Sequence, residues 1–381
     1  MACSIYFHIP FCKQACSYCD FHFSTNRSTE EAVISRMKDE LIERSNQAPW
    51  NGQQVLSIYF GGGTPSILKS EVVLSLIELA REHFSVAENA EITLEANPDD
   101  ISQEKIQQWY NSGINRLSVG IQSFHPEELA MCNRAHNAEE AHLALQHIQE
   151  GPIDNYSIDL IFGMPGSTPS SLKDNLHLLQ QYMPPHLSCY SLTVEEKTAL
   201  AHQVEKGKVL LPEENDILGQ YALLRQWTKE QGYEHYELSN YAKPNRRSKH
   251  NAHYWSYAPY LGIGPGAHSF DGTTRFWNLS NNSLYAQGAQ GESETLEGSQ
   301  QINERMMVRL RTSEGFRYNL DLPENSHKQA WHPEFITNIN AEAAKGTLMA
   351  NSEGFRILPE HWMTSDTIIS NLMMTHDENN H

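Results

Sequence analysis

The chain has 381 residues, with 28 Lys and Arg against 47 Asp and Glu, a formal net charge of -19. So acidic a surface repels phosphate backbones, which excludes nucleic acid as a general partner. No stretch approaches the roughly 18 consecutive apolar residues that a membrane span needs, leaving at most peripheral membrane contact, and six cysteines with no secretory leader point to a reducing, cytoplasmic setting.

Apolar runs at 5–9, 55–60, 91–96, 116–121, 155–161 and 186–190 read as strands. Helical patterns separate them. Ser28-Thr29-Glu30-Glu31 has the form of a capping box, after which Val33, Ile34, Met37, Leu41 and Ile42 share one helical face. Val72, Val73, Leu76, Ile77 and Ala80 repeat that period, and a helix over 102–112 stops at Gly113. Six strand-helix units predict a parallel sheet with helices outside it, an α/β fold whose functional groups gather at the carboxyl ends of the strands. The length suits one large domain of about 200 to 250 residues and a smaller one.

Directly after the first strand, Cys12, Cys16 and Cys19 stand in the run HIPFCKQACSYC. Iron-sulfur cubes take four thiolates, so three closely spaced cysteines predict a 4Fe-4S cluster with one iron left open to another ligand. A zinc site recruiting His8 or His22 is the competing reading, although zinc ligands more often come as two separated pairs. Cys3, Cys132 and Cys189 have no motif around them and read as buried small apolar residues.

Further polar and glycine-rich features fall at predicted strand ends. Gly61-Gly62-Gly63-Thr64 follows the second strand, where a backbone without side chains lets a ligand approach closely. Glu95 ends the third strand and Gln122 the fourth. Asp159 interrupts the apolar run IDLIF, where an unpaired carboxylate is costly. It therefore needs a partner, either Arg134 or a cofactor hydroxyl.

The CxxxCxxC spacing with an aromatic before the last cysteine resembles the radical S-adenosylmethionine (SAM) superfamily. That resemblance implies a partial (βα)6 barrel, chelation of the open iron by the SAM methionine group, and an adenosyl radical released by one-electron reduction. Within the superfamily, the blocks HIPFCxxxCxYC, FGGGTPS, ExNP, GIQSF, NRAH, IDLIFGMPG, YSLTVE and LGIGPGAHS resemble the oxygen-independent coproporphyrinogen oxidases (HemN) and the related haem chaperones (HemW). Carried over by position, the pattern makes Cys12, Cys16 and Cys19 the cluster ligands and places Tyr6 beside cluster and SAM. It sets Gly62, Gly63 and Thr64 at the methionine end of SAM, and completes the pocket with Glu95, Gln122, Arg134, Asp159 and Thr193.

Departures from the oxidase pattern decide between the two groups. The oxidases carry a fourth cysteine where this chain has Phe21, a longer segment before the cluster motif, and an apolar residue where His268 stands here. Cys19-Asp20-Phe21 and the HNxxYW block at 250–255 resemble the chaperones instead. The resemblance therefore implies a protein that binds haem as cargo and passes it to a recipient haem protein, with an electron donor for the cluster and no coproporphyrinogen oxidase activity. The oxidase, and a radical SAM enzyme of unrelated substrate, are the alternatives. His250 and His253 are candidate haem ligands, since histidine is a common axial ligand, though His, Tyr and Trp also pack together in ordinary cores.

The basic run at 243–249 reads as a solvated loop or a carboxylate or phosphate contact. From Gly272 to about Ser299 the composition turns to Asn, Ser, Gly and Gln, predicting loop or linker. A helix over 302–312 then opens a small C-terminal unit, mainly helical with an α+β character. The expected divisions are a core at 1–240, an extension with the HNxxYW block at 241–300, the C-terminal unit at 301–374 and a frayed tail at 375–381.

Overall fold

The computed structural model describes residues 2–322 and 333–374; the polar tail at 375–381 lies outside them. All six predicted strands form: β1 (Ala2–Ile9), β2 (Gln54–Gly62), β3 (Ser85–Ala96), β4 (Arg116–Gln122), β5 (Tyr156–Phe162) and β6 (His186–Ser191). They pair in parallel, in chain order. What reads as apolar runs is an alternation. Leu117, Val119 and Ile121 of β4, Ile158, Leu160 and Phe162 of β5, and Leu187 and Cys189 of β6 enter the apolar core. Ser118, Ser157, Asp159 and Ser188 hydrogen-bond to one another on the opposite, inner face, as a period of two requires.

Helices cover the outer face. Glu30–Ser45 buries Val33, Ile34, Met37 and Leu41, and Ser70–His83 buries Val73, Leu76, Ile77 and Ala80; each such side chain contributes about 1.5–3 kcal/mol on burial. The capping box before the first of these helices does not form. Thr29 makes no side-chain cap, and Arg27 instead pairs with Glu30 at 2.6 Å. The helix Gln103–Asn111 is capped by Ser102, and Gly113 follows it at a φ of 96°.

The stretch predicted as loop or linker is structured, which corrects that reading. Two short strands, β7 (Glu234–Glu237) and β8 (Asn240–Ala242), extend the sheet beyond β6. On the far side, β9 (Tyr260–Ile263) adds a seventh parallel strand beside β1, and β10 (His268–Phe270), β11 (Thr274–Trp277) and β12 (Glu292–Thr295) continue antiparallel, giving a twelve-stranded sheet. β12 is exposed throughout. It is held by backbone pairing and has no apolar face to betray it in sequence.

Residues 299–322 and 333–374 hold a second core. β13 (Phe316–Arg317), β15 (Gly354–Ile357) and β14 (Leu348–Ala350) form a small antiparallel sheet, with the helices Ser299–Arg309, Pro333–Ala344 and Ser365–Leu372 beside it. Met306, Leu310, Phe316, Phe355, Trp362 and Leu372 pack together. Leu238 N–H donates to the Arg311 carbonyl and the Tyr221 hydroxyl to the Pro359 carbonyl, seating this unit against the β7–β8 edge.

Glu40 locks the β9 side to the first helix. Its buried carboxylate accepts from the Tyr285 hydroxyl at 2.5 Å, the Asn278 amide at 2.8 Å and the Gly264 N–H at 3.1 Å. Removing the acceptor leaves three donors unpaired, so Glu40→Ala is expected to destabilise the protein by about 3 kcal/mol and Tyr285→Phe by about 1 kcal/mol. Urea unfolding of the two variants checks this; equal midpoints for Glu40→Ala and the parent chain would contradict the lock.

Candidate functional site

At the carboxyl ends of β2 to β6 lies a cavity of about 620 Å³, within the range of pockets that take a small-molecule cofactor. The loop that follows β1 closes one side of it with Cys12, Cys16 and Cys19, all three half-buried and unbonded to one another. Gly62, Gly63, Thr64, Glu95, Gln122, Arg134, Asp159 and Thr193 line the rest. Separate motifs along nearly 200 residues therefore converge on one space.

The cysteine loop is pinned by its neighbours. Lys13 pairs with Asp99 at 2.7 Å and with Asp100 in the turn after β3. Gln14 donates to the Asn133 carbonyl at 2.9 Å, Asn133 donates to the Ala15 carbonyl at 2.7 Å, and the Ser17 hydroxyl donates to the Met131 carbonyl at 3.0 Å. Arg134 Nη1 lies 3.2 Å from Cys16 Sγ. Gly63 is required for the loop to come this close, because a Cβ there would stand 2.6 Å from the Phe11 carbonyl oxygen. A Cβ on Gly62, at a φ of 105°, would strike the His8 ring at 2.6 Å.

Burial pushes the Cys12 thiol above its usual range and the Cys19 thiol up to about 11. Thiolates here need a cationic partner, and soft thiolates select iron-sulfur clusters, zinc or copper(I). His8 and His22, the histidines that a zinc site would recruit, have other partners: His8 Nε2 contacts the His22 carbonyl at 2.8 Å, and His22 Nε2 contacts Asn282 Oδ1 at 2.7 Å. Among the described residues no three His, Cys, Asp or Glu side chains converge at single-ion spacing. Three spread thiols with a guanidinium beside one of them fit a larger anionic cluster.

Glu95 is held by the Tyr59 hydroxyl at 2.8 Å and the Gly62 N–H at 3.2 Å. Tyr6 sits behind the lining, where a Cβ on Gly61 would meet its ring at 3.0 Å. Asp159 finds its partners on its own strand and the two beside it: Ser157 at 3.1 Å, Ser118 of β4 at 3.2 Å and Ser188 of β6. Arg134 is not among them, correcting the structural pairing expected from sequence; it holds Asn97 and the Gly120 carbonyl instead. Gln122 ends β4 at a φ of 66°, an uncommon conformation for a side chain of this size.

Several contributors escaped the sequence reading. Tyr18, Asn97, Ser118 and Tyr190 line the cavity, and Asn97 was legible as the third residue of the ExNP block. Arg116, buried on the inner face of β4, gave no motif signal.

The two candidate haem ligands lie elsewhere. The HNxxYW block forms the helix Lys249–Trp255, capped by Ser248, against the amino-terminal ends of β1 and β2. His250 Nδ1 meets Ser57 at 2.9 Å, and its ring stacks on Tyr59 at 4.8 Å. His253 Nε2 meets the Pro259 carbonyl at 3.2 Å. Neither lines the cavity. The basic run nearby is internally satisfied, with Arg246 on Asp154 and Arg247 on Glu234 and Glu314. His268, exposed on β10, stacks over Trp277 at 5.9 Å.

Residues 6–179 match the family model of the radical SAM superfamily. The protein is 33% identical over 324 residues to a Mycobacterium tuberculosis protein named heme chaperone HemW, covering 82% of each chain. The chain belongs to the HemW haem chaperone family of radical SAM proteins. A Synechocystis HemW is 30% identical over 379 residues, 97% of this chain and 91% of that one, and the Escherichia coli HemW is 33% identical over 267 residues, 70% and 69%. The Escherichia coli coproporphyrinogen III oxidase HemN, a radical SAM enzyme, shares the fold, with a TM-score of 0.82 at 23% identity over 98% of this chain and 90% of that one. Membership in the superfamily implies a 4Fe-4S cluster and SAM.

Burial pushes the Glu95 carboxyl up, with the nearby Asp159 carboxylate adding to it against the Tyr59 and Gly62 donors, to about 7 from an ordinary 4.5. Between those values the folded chain keeps a proton that the unfolded chain has released, so this group's stabilisation is lost as pH rises from about 4.5 through about 7. In the iron-free protein, Glu95→Gln is expected to flatten that fall. Denaturant unfolding across this window checks it, and identical slopes for the two chains would contradict the assignment.

Proposed function

We propose that this chain binds haem and delivers it to a recipient haem protein, carrying a 4Fe-4S cluster on Cys12, Cys16 and Cys19 and SAM in the adjoining cavity. The observation that carries the reading is the 33% identity over 324 residues to a protein named for haem chaperoning. Phe21 adds to it: 65% exposed, it lines the cavity at the position of the oxidases' fourth cysteine and offers no fourth thiolate.

The cluster, when bound, supplies a single electron to SAM, drawn from a separate one-electron donor. This chain's own residues bind and orient. Gly62, Gly63 and Thr64 present backbone and hydroxyl to the methionine end, and Glu95 offers a carboxylate to its ammonium group. Asp159, held by three serines, is placed to accept from a ribose hydroxyl, and Gln122 and Thr193 border the same space. Tyr6 supports this floor from behind. Among the described residues no helix is long and apolar enough to cross a membrane, and we place the protein in the cytoplasm.

Haem is assigned to the opposite end of the barrel. If His253 Nε2 donates its proton to the Pro259 carbonyl, Nδ1 keeps a lone pair for iron. The half-exposed Tyr254 ring, with Trp255 and Tyr260 at 5.3 and 5.4 Å, supplies an aromatic surface next to it. His250 is packed into the barrel floor and stabilises it. Of the two candidates, His253 is the assigned ligand.

Titration with haem is expected to saturate at one equivalent, with His253→Ala weakening binding at least tenfold and His250→Ala leaving the haem spectrum unchanged. Equal affinity and spectra for the parent chain and His253→Ala would remove His253. In a separate measurement, Asp159→Ala is expected to weaken SAM binding about tenfold or more while iron content stays constant, since a buried hydrogen-bonded charge is worth about 1.5–3 kcal/mol. The chaperone reading fails if the reduced, SAM-supplied protein decarboxylates coproporphyrinogen III over many turnovers without saturable haem binding.

A further inference from the structure

Arg134 is fastened in a way that turns one terminal nitrogen toward sulfur. Its Nη2 donates to Asn97 Oδ1 at 2.7 Å and to the Gly120 carbonyl at 2.9 Å, which fixes the guanidinium plane. Its Nη1 then lies 3.2 Å from Cys16 Sγ and 3.5 Å from the Tyr18 hydroxyl. Gly120 eases the approach, since a Cβ there would crowd Nη2 at 3.1 Å. The cysteine loop is independently anchored by Lys13, Gln14 and Asn133, so the sulfur and the guanidinium are both held and their separation is set by the fold.

We infer that Arg134 donates a hydrogen bond to the Cys16 thiolate when that sulfur ligates the cluster, and thereby raises the cluster's reduction potential. The inference rests on the assignment of Cys16 as a ligand. Reduction adds one electron, supplied by an external reductant, and increases the negative charge on the cluster sulfurs. A donor and a fixed positive charge at one of those sulfurs stabilise the reduced form more than the oxidised form. Lysine cannot replace this arrangement, because an ammonium group lacks the planar fork that holds Asn97, Gly120 and Cys16 together. Arg134 is thus a positioning residue for the electron as well as a wall of the cavity.

The test is an EPR-monitored redox titration of the full chain, reconstituted anaerobically and kept free of SAM, so that any contact of Arg134 with SAM does not enter. Arg134→Gln is expected to lower the reduced-to-oxidised ratio at a fixed potential about tenfold, a fall of about 59 mV in midpoint for one electron. Arg134→Lys and Asn97→Ala are expected to move the midpoint in the same direction by less. If Arg134→Gln fails to take up iron, the other two variants decide by the same titration. Midpoints equal to the parent in every variant that holds the cluster overturn the inference. A parent chain that takes up no cluster overturns the ligand assignment beneath it, a result distinguishable by iron content alone.

Discussion

Everything at the functional end depends on the tethering of the cysteine loop to the turns after β3 and β4. Phe11 and Tyr18 anchor this loop to apolar clusters, but the positions of its three half-buried thiols are set by polar tethers. The Lys13 ion pairs with Asp99 and Asp100 hold one end of it, and the exchange of hydrogen bonds among Gln14, Ala15 and Asn133 holds its middle. The Ser17 contacts with Met131 and Cys132 hold the other end. The proposed cluster site is therefore prepared by the sheet: the parallel register of β1 to β4 puts these turns at one level, and the loop is strung across them.

The inner face of the sheet extends this logic downward. Its floor is polar and closely bonded, from Glu95 and Tyr59 through the Ser118, Ser157 and Ser188 ring around Asp159 to Ser57 and His250. Apolar residues would fill the same volume at lower risk, because each buried polar group must find a partner. Polar lining keeps carboxylates available at the cavity and separates the SAM end from the HNxxYW helix. On the proposed assignment, the two ends of one barrel hold two different ligands, SAM above and haem below.

Much of this was legible in sequence. Strand positions followed from compact apolar runs, and the convergence of Gly62, Glu95 and Gln122 followed from their places at strand ends, since parallel strands bring those ends to one side; Asp159, in the middle of β5, stood out by breaking an apolar run. Register was not legible. Which residues would hold Asp159 depended largely on lateral pairing: Ser118 and Ser188 from the flanking strands, with Ser157 from its own, supply hydrogen bonds where Arg134 had been expected. The β12 strand was hidden for a different reason: edge pairing satisfies its backbone without an apolar face, so its composition resembles a loop. Likewise, the capping pattern at Ser28 to Glu31 did not form: the helix starts at Glu30 with Thr29 before it, and Arg27 pairs with Glu30 in its first turn. His250 had the chemistry of a ligand, but only the packing of its helix showed that its ring faces the barrel floor.

The central claim is that the three cysteines hold a four-iron cluster whose remaining iron meets SAM in the cavity. Mössbauer spectroscopy of anaerobically reconstituted, iron-57-labelled protein, recorded before and after adding SAM, tests it most directly. The account predicts four iron sites, about one quarter of the iron changing its isomer shift when SAM binds while the other three quarters stay in place. Stoichiometric zinc without iron, or a SAM-saturated protein in which all four irons keep their original parameters, would contradict it.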